Sequence, residues 1–292
     1  MSQSDHSARN GRRLGASLAF PASLMVLLVM FIPILMLFRY SFNHFDRYTM
    51  VEGFTLQNYV EFFTDPYYRD VFFSTVYVAF TCTLLALVLG FPVAYFLAKS
   101  QSRFKSVFII LLVFPLMVGN VVRAAGWMVV LGNAGFVNFI LKWLGVIENS
   151  LQLMYTPMAV IIGTTGVVLP YLILTLQSVL EGIDFSVEEA AQNLGANFFT
   201  TFWRVVLPIA APGVAAGTML VFILCMNAYA TPVLLGGTGI TMMAPALYDQ
   251  ITKASNWPFG AALALILVTT TLVMALLSNW LIHRRYVRTM MS

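Results

Sequence analysis

Charge is scarce in this sequence. Asp, Glu, Lys and Arg make up 10% of its 292 residues, against about 25% in a soluble domain. With 60% hydrophobic residues, that deficit excludes an ordinary soluble fold and points to a membrane protein. The net charge of +4 is too small and too dispersed to argue for nucleic acid. Cysteine is nearly absent. Cys82 and Cys225 both lie in apolar runs and read as small membrane-buried side chains rather than a disulfide. His6, His44 and His283 are far apart in tails or loops, and no Cys/His cluster has metal-ligand spacing. A G-x-x-x-x-G-K-[ST] pattern is missing, so any ATP hydrolysis needs a separate chain.

What is present is apolar length. A bilayer core needs about 20 apolar residues per spanning helix. Six segments qualify: Leu18 to Phe38, Val71 to Ala98, about Val107 to Ala125, about Met154 to Leu180, about Gly213 to Leu235 and about Gly260 to Ile282. The first follows Arg12 and Arg13, as a signal peptide would. Its run exceeds the about 7–15 residues of a signal core and lacks a clear cleavage site, so it reads as a retained helix. The third carries Pro115, Asn120 and Arg123 and fits either one long helix or a helix plus a re-entrant piece. Phe136 to Val146 reads as a short amphipathic segment with Trp143 at an interface. The loop at 41–70 is aromatic and polar, suited to lying flat on a membrane surface.

The fold expected is therefore all-α and integral to the membrane, with six transmembrane helices in one domain at 18–284 and tails at 1–17 and 285–292. Orientation follows from Lys and Arg. Arg9, Arg12 and Arg13 lie in the first tail, Lys99, Arg103 and Lys105 in the loop after the second span, and Arg284, Arg285 and Arg288 in the last tail. Six spans put all three on one side, which the positive-inside rule makes cytoplasmic. The loop at 181–208 falls on that side too.

That loop holds the most telling constellation. In "SVEE", Ser186 is expected as an N-cap, with Glu189 reaching back to it in a capping box. Acidic residues also suit the positive end of a helix dipole. A short helix over "VEEAAQNL" should stop at Gly195, the residue best able to adopt φ > 0. Ala190 and Ala191 leave a surface that another protein can approach closely. "FFTTFWRVVLP" then leads into the fifth span, with Pro208 expected at the turn into the bilayer. Alone, a capped helix in a cytoplasmic loop says little.

The combination says more. Glu189-Ala190-Ala191, three residues, Gly195, nine residues, then Val205-x-Leu207-Pro208 resembles the EAA signature of ABC-importer permeases. Val205 stands where that family usually has Ile, a difference of size only. "FIPILMLFRYSF", "VVRAAGWMVVLGNAGFVN" and "YATPVLLGG" extend the resemblance over nearly the whole chain, to the spermidine/putrescine permease branch. The resemblance implies a type I ABC importer permease architecture. Its EAA segment, Glu188, Glu189, Ala190, Ala191, Gly195, Leu207 and Pro208 here, would be a coupling helix docking into a cytoplasmic ATPase. It also implies a bacterial inner-membrane location, with both termini cytoplasmic and lipid around the helices. The implied partners are a second homologous permease, two copies of the ATPase and an extracytoplasmic solute-binding protein. The chain itself would bind no cofactor and perform no catalysis, since ATP and Mg would sit on the partner ATPase.

The six spans contain no His, Asp or Glu. That argues against an intramembrane enzyme, and against an ion-coupled carrier, which usually places carboxylates there. The polar residues near the outer ends of the third and fifth spans are Asn120, Arg123, Asn227, Tyr229 and Thr231. Arg123 fits either an interfacial brace or a pathway contact. The others fit either helix–helix hydrogen bonding or the lining of a solute path. The solute itself is open between a polyamine and the opine, aminoalkyl-phosphonate, sulfate, molybdate or ferric iron taken by other branches.

Overall fold

The structure, a computed structural model, describes residues 3–46 and 49–290. Helix α1 runs Gln3–Tyr40, reaching back through the polar residues at the start of the chain. Two three-residue strands follow, β1 (His44–Asp46) and β2 (Thr49–Val51), paired antiparallel with Phe45 opposite Met50. Then come α2 (Gln57–Thr64), α3 (Pro66–Lys99), α4 (Lys105–Met117), α5 (Asn120–Leu131) and α6 (Phe136–Trp143). After them lie α7 (Pro157–Glu181), α8 (Ser186–Asn193), α9 (Phe198–Thr201), α10 (Leu207–Met226), α11 (Met243–Thr252) and α12 (Trp257–Met290). Single π turns occupy Phe202–Val206 and Pro232–Gly236.

Among the described residues, six segments are long and apolar enough to cross a membrane: Ser23–Tyr40, Pro66–Lys99, Asn120–Trp143, Pro157–Glu181, Phe198–Met226 and Trp257–Ser278; the third is not one helix, being broken at 132–135 between α5 and α6. The expected segment 107–125 is not one helix. α4 stops at Met117, Val118 and Gly119 are extended, and α5 starts at Asn120. Gly and Asn are poor helix formers, and Pro115 donates no backbone hydrogen bond. At 1.5 Å per residue, α4 alone falls short of the about 30 Å hydrocarbon core. The fifth span also shifts. Its helix begins at Phe198 rather than Gly213 and ends at Met226 rather than Leu235, where the Asn227 side chain donates to the Ile223 carbonyl at 2.9 Å.

Two long helices begin at well-made caps. Asp65 accepts the Tyr67 N–H at 2.8 Å ahead of Pro66. Thr156 accepts the Ala159 N–H at 3.2 Å ahead of Pro157. Proline at the first helical position loses no hydrogen bond. The core lies where α3, α7 and α10 meet, around Val78, Cys82, Leu172, Leu176 and Cys225. Both cysteines are buried and free. Small residues let the helices close in, as expected where lipid supplies no hydrophobic drive between them. Gly90 sits against Ile173, and Gly217 against Leu172.

The connections sort into two ends. The α3–α4 loop and the 181–208 segment share one, because Lys99 pairs with Glu188 and Lys105 with Glu181. At the other, the Tyr68 hydroxyl accepts from Gln250 at 2.8 Å, joining α3 to α11. There too Asn58 donates to the Ser41 and Asn43 carbonyls at 2.8 and 3.0 Å, and Asn138 bonds Gly132 and Leu151. These buried amides hold the loops of that end.

Candidate functional site

The 181–208 segment is a helix, a break and a helix. α8 starts one turn past Glu181, but the expected capping box is absent. Ser186 is already helical, and the residue before it, Phe185, makes no side-chain cap. Asp184 does the capping work instead, its carboxylate accepting the Ser186 N–H at 2.9 Å. That bond holds the Asp184 carboxyl below its usual range. Because Asp184 takes the Ser186 N–H, no donor is left there for Glu189 to reach back to.

The stop is as expected. Gly195 has φ +88°. Its N–H donates to Gln192 at 2.9 Å, and the Ala196 N–H donates to Ala191 at 3.1 Å, the paired bonds of a Schellman motif. Asn197 then caps α9 by accepting the Thr200 N–H at 2.8 Å. Sequence reasoning passed over this cap, although Asn two residues after a helix-ending Gly is a start signal. Pro208 does not turn the chain. It lies within one helical run, Phe198–Met226, just after the π turn. There the Leu207 N–H reaches back five residues to Phe202. The wider turn accommodates the ring and missing donor of Pro208.

The two adjacent glutamates point to different places. Glu188 is 3% exposed. Its carboxylate accepts from the Tyr95 hydroxyl at 2.8 and 2.9 Å, from Lys99 Nζ at 2.8 Å and from Gln192 at 3.2 Å. Glu189 and Ala190 are exposed, and Ala191 is half-buried. At 3.6 residues per turn, Val187, Ala190 and Leu194 share one face, opposite Glu188 and Gln192. Leu194 is 90% exposed and Val187 45%. So α8 turns the Glu188 carboxylate into the fold and Val187 and Leu194 outward, the reverse of an ordinary surface helix. Phe199 and Trp203, further along the segment, are exposed as well. Leu207 is half-buried and Pro208 exposed.

The polar residues of the third and fifth spans scatter. Arg123 donates from Nη2 to Asn120, one turn away at the start of α5. Its Nε and Nη1 are enclosed and have no hydrogen-bond partner among the described residues. Asn227 is exposed at the end of α10. Tyr229 is also exposed, and its ring lies 5.0 Å from that of Tyr248. Thr231 is buried, its methyl against Gly163 of α7. Among the described residues no His, Cys, Asp or Glu cluster could hold a metal ion.

Comparison with known proteins bears on what this arrangement serves. The family described as binding-protein-dependent transport system inner membrane component matches residues 83–286. The Escherichia coli K12 spermidine/putrescine transport system permease protein PotB is 36% identical over 253 residues, 86% of this chain and 90% of its own length. The E. coli inner membrane ABC transporter permease protein YdcU is 32% identical over 254 residues, 82% of this chain and 80% of its own. A chain in the crystal structure of a bacterial alginate ABC transporter, in complex with an alginate pentasaccharide-bound periplasmic protein, superposes with a TM-score of 0.75. It is 17% identical and covers 96% of this chain and 97% of its own.

Proposed function

The chain belongs to the family of binding-protein-dependent transport system inner membrane components, and on that premise we propose that it forms half of the translocation pathway of an importer for polyamine or a related small amine-containing solute. The solute class rests on the likeness to the spermidine/putrescine permease protein over 86% of the chain. Energy comes from ATP, with Mg, on a separate ATPase. Two copies of it pair with this chain and a homologous second permease, and a solute-binding protein delivers cargo from outside the membrane.

One observation carries the coupling part: the outward apolar face of α8, with Leu194 at 90% exposure. A leucine so exposed beside charged residues fits an ATPase cleft. The exposed Glu189 and Ala190 sit beside that face, while Gly195, Leu207 and Pro208 set its angle to α10. Asn120, Arg123, Asn227 and Tyr229 are the polar groups we assign to the pathway. Both termini lie in the cytoplasm on this reading, since Lys and Arg collect at the 99–105 end.

The test is reconstitution of the chain with its partner subunits in proteoliposomes. Labelled spermidine or putrescine should accumulate only with ATP and binding protein. Uptake of sulfate or molybdate in place of amines would move the chain to another branch. Cysteines placed in the tails should resist an impermeant reagent applied to intact cells, and labelling of both would overturn the orientation.

A further inference from the structure

A buried carboxylate is costly unless it is paired and hydrogen-bonded. Glu188 meets that condition with groups far away in sequence. Tyr95 and Lys99 stand one turn apart on α3, 93 and 89 residues from it, so α3 presents both to the same carboxylate. Phe185 completes the enclosure. Its ring lies 6.3 Å from that of Tyr95 and 5.4 Å from Lys99 Nζ. A second ion pair, Lys105 to Glu181 at 2.6 Å, ties the start of α4 to the end of α7. The basic α3–α4 loop is thus gripped on both sides by acidic residues flanking the α7–α8 corner.

An ordinary surface helix needs none of this. Gln192 or solvent would satisfy an outward-facing Glu188. Burying it opposite the apolar docking face gives α8 two surfaces with separate duties. We propose that Glu188, Tyr95 and Lys99 form a latch that fastens the coupling helix to α3, so that α3 moves with the docked ATPase as directly as the α9–α10 run that follows α8 in the chain. α3 packs along both α7 and α10, so a displacement received at Lys99 spreads through the core. Glu189, one residue on, is left for the partner. The proposal rests on α8 being the ATPase-docking helix.

The experiment uses the complete reconstituted transporter and reads three quantities: ATPase content, ATP hydrolysis rate and solute moved per ATP. Glu188→Gln and Lys99→Gln should each keep ATPase content and hydrolysis. Each should lower solute moved per ATP about ten-fold, within the usual span of coupling between sites. The double variant should fall no further, because both substitutions open the same latch. Normal transport per ATP in both single variants, or losses that multiply in the double, would overturn the latch. If Glu188→Gln does not assemble, Lys99→Gln decides alone, since its side chain is 42% exposed and the Glu188 carboxylate keeps its bonds from Tyr95 and Gln192. Leu194→Asp, on the opposite face, reports the docking premise. It should strip the ATPase from the complex, and full retention with full transport would remove the premise rather than the latch.

Discussion

The two ends of the molecule each turn a corner on glycine, for different reasons. At one end, Gly195 has φ +88° and open space where a side chain would be. At the other, Gly237 has φ +51° and would press a Cβ to 2.5 Å from the Tyr155 ring. Nearby, a Cβ on Gly239 would overlap the Tyr155 carbonyl oxygen. Tyr155 itself sits at φ 63° and donates its N–H to Leu235 at 2.8 Å. The first corner is a backbone turn with nothing packed on it, as suits a surface awaiting another chain. The second is closed by this chain alone. A glycine in the sequence does not say which kind it is; the neighbours do.

The sharpest break of that contrast is Gly239→Ala. The opposing atom is backbone and cannot step aside, so destabilisation of about 3 kcal/mol, the upper range for overpacking, is expected. Thermal unfolding of the purified protein in detergent reads it, and an unchanged midpoint would mean the corner is looser than described. Gly195→Val should lie below it. Only backbone strain opposes the substitution, about 1–2 kcal/mol, so the protein should fold while ATPase co-purification drops. A loss as large as that of Gly239→Ala would erase the distinction between the corners. Asn197→Ala removes one cap bond and should lower stability by about 1 kcal/mol. No change would show that the π turn, not the cap, fixes α9. Glu189→Ala should be the mildest for stability, within about 0.5 kcal/mol for an exposed site without a capping role. Transport per ATPase bound should nevertheless fall; unaltered transport would take Glu189 out of the docking surface.

Apolar length was enough to read the number of spans, though not the bounds of the third and fifth, because a bilayer crossing needs little more than composition and hydrogen-bond self-sufficiency. The end of α8 was legible for a local reason: Gly195 follows directly on a helical run, where glycine favours a φ > 0 stop. Its beginning was not. Asp184 and Ser186 are both good cap residues, and the choice depends on which N–H the carboxylate reaches. The division of labour between Glu188 and Glu189 was hidden more deeply. Neighbours on a helix differ by 100° in direction, and what lay in either direction, Tyr95 and Lys99 or solvent, was set by packing between distant segments. The break at Val118 and Gly119 was visible only as an ambiguity. The π turn before Leu207-Pro208 left no trace beyond the proline.

One peripheral element carries a consequence for how such a chain could have been assembled over time. No residue of Ser23–Tyr40 is buried, and the family match begins at residue 83, inside α3. Removing α1 would open no cavity. Its main attachments are a line of contact with α12 and the polar knot at its end, where Arg39 meets Asn43. A helix joined this lightly can be gained, lost or exchanged between relatives without repacking anything.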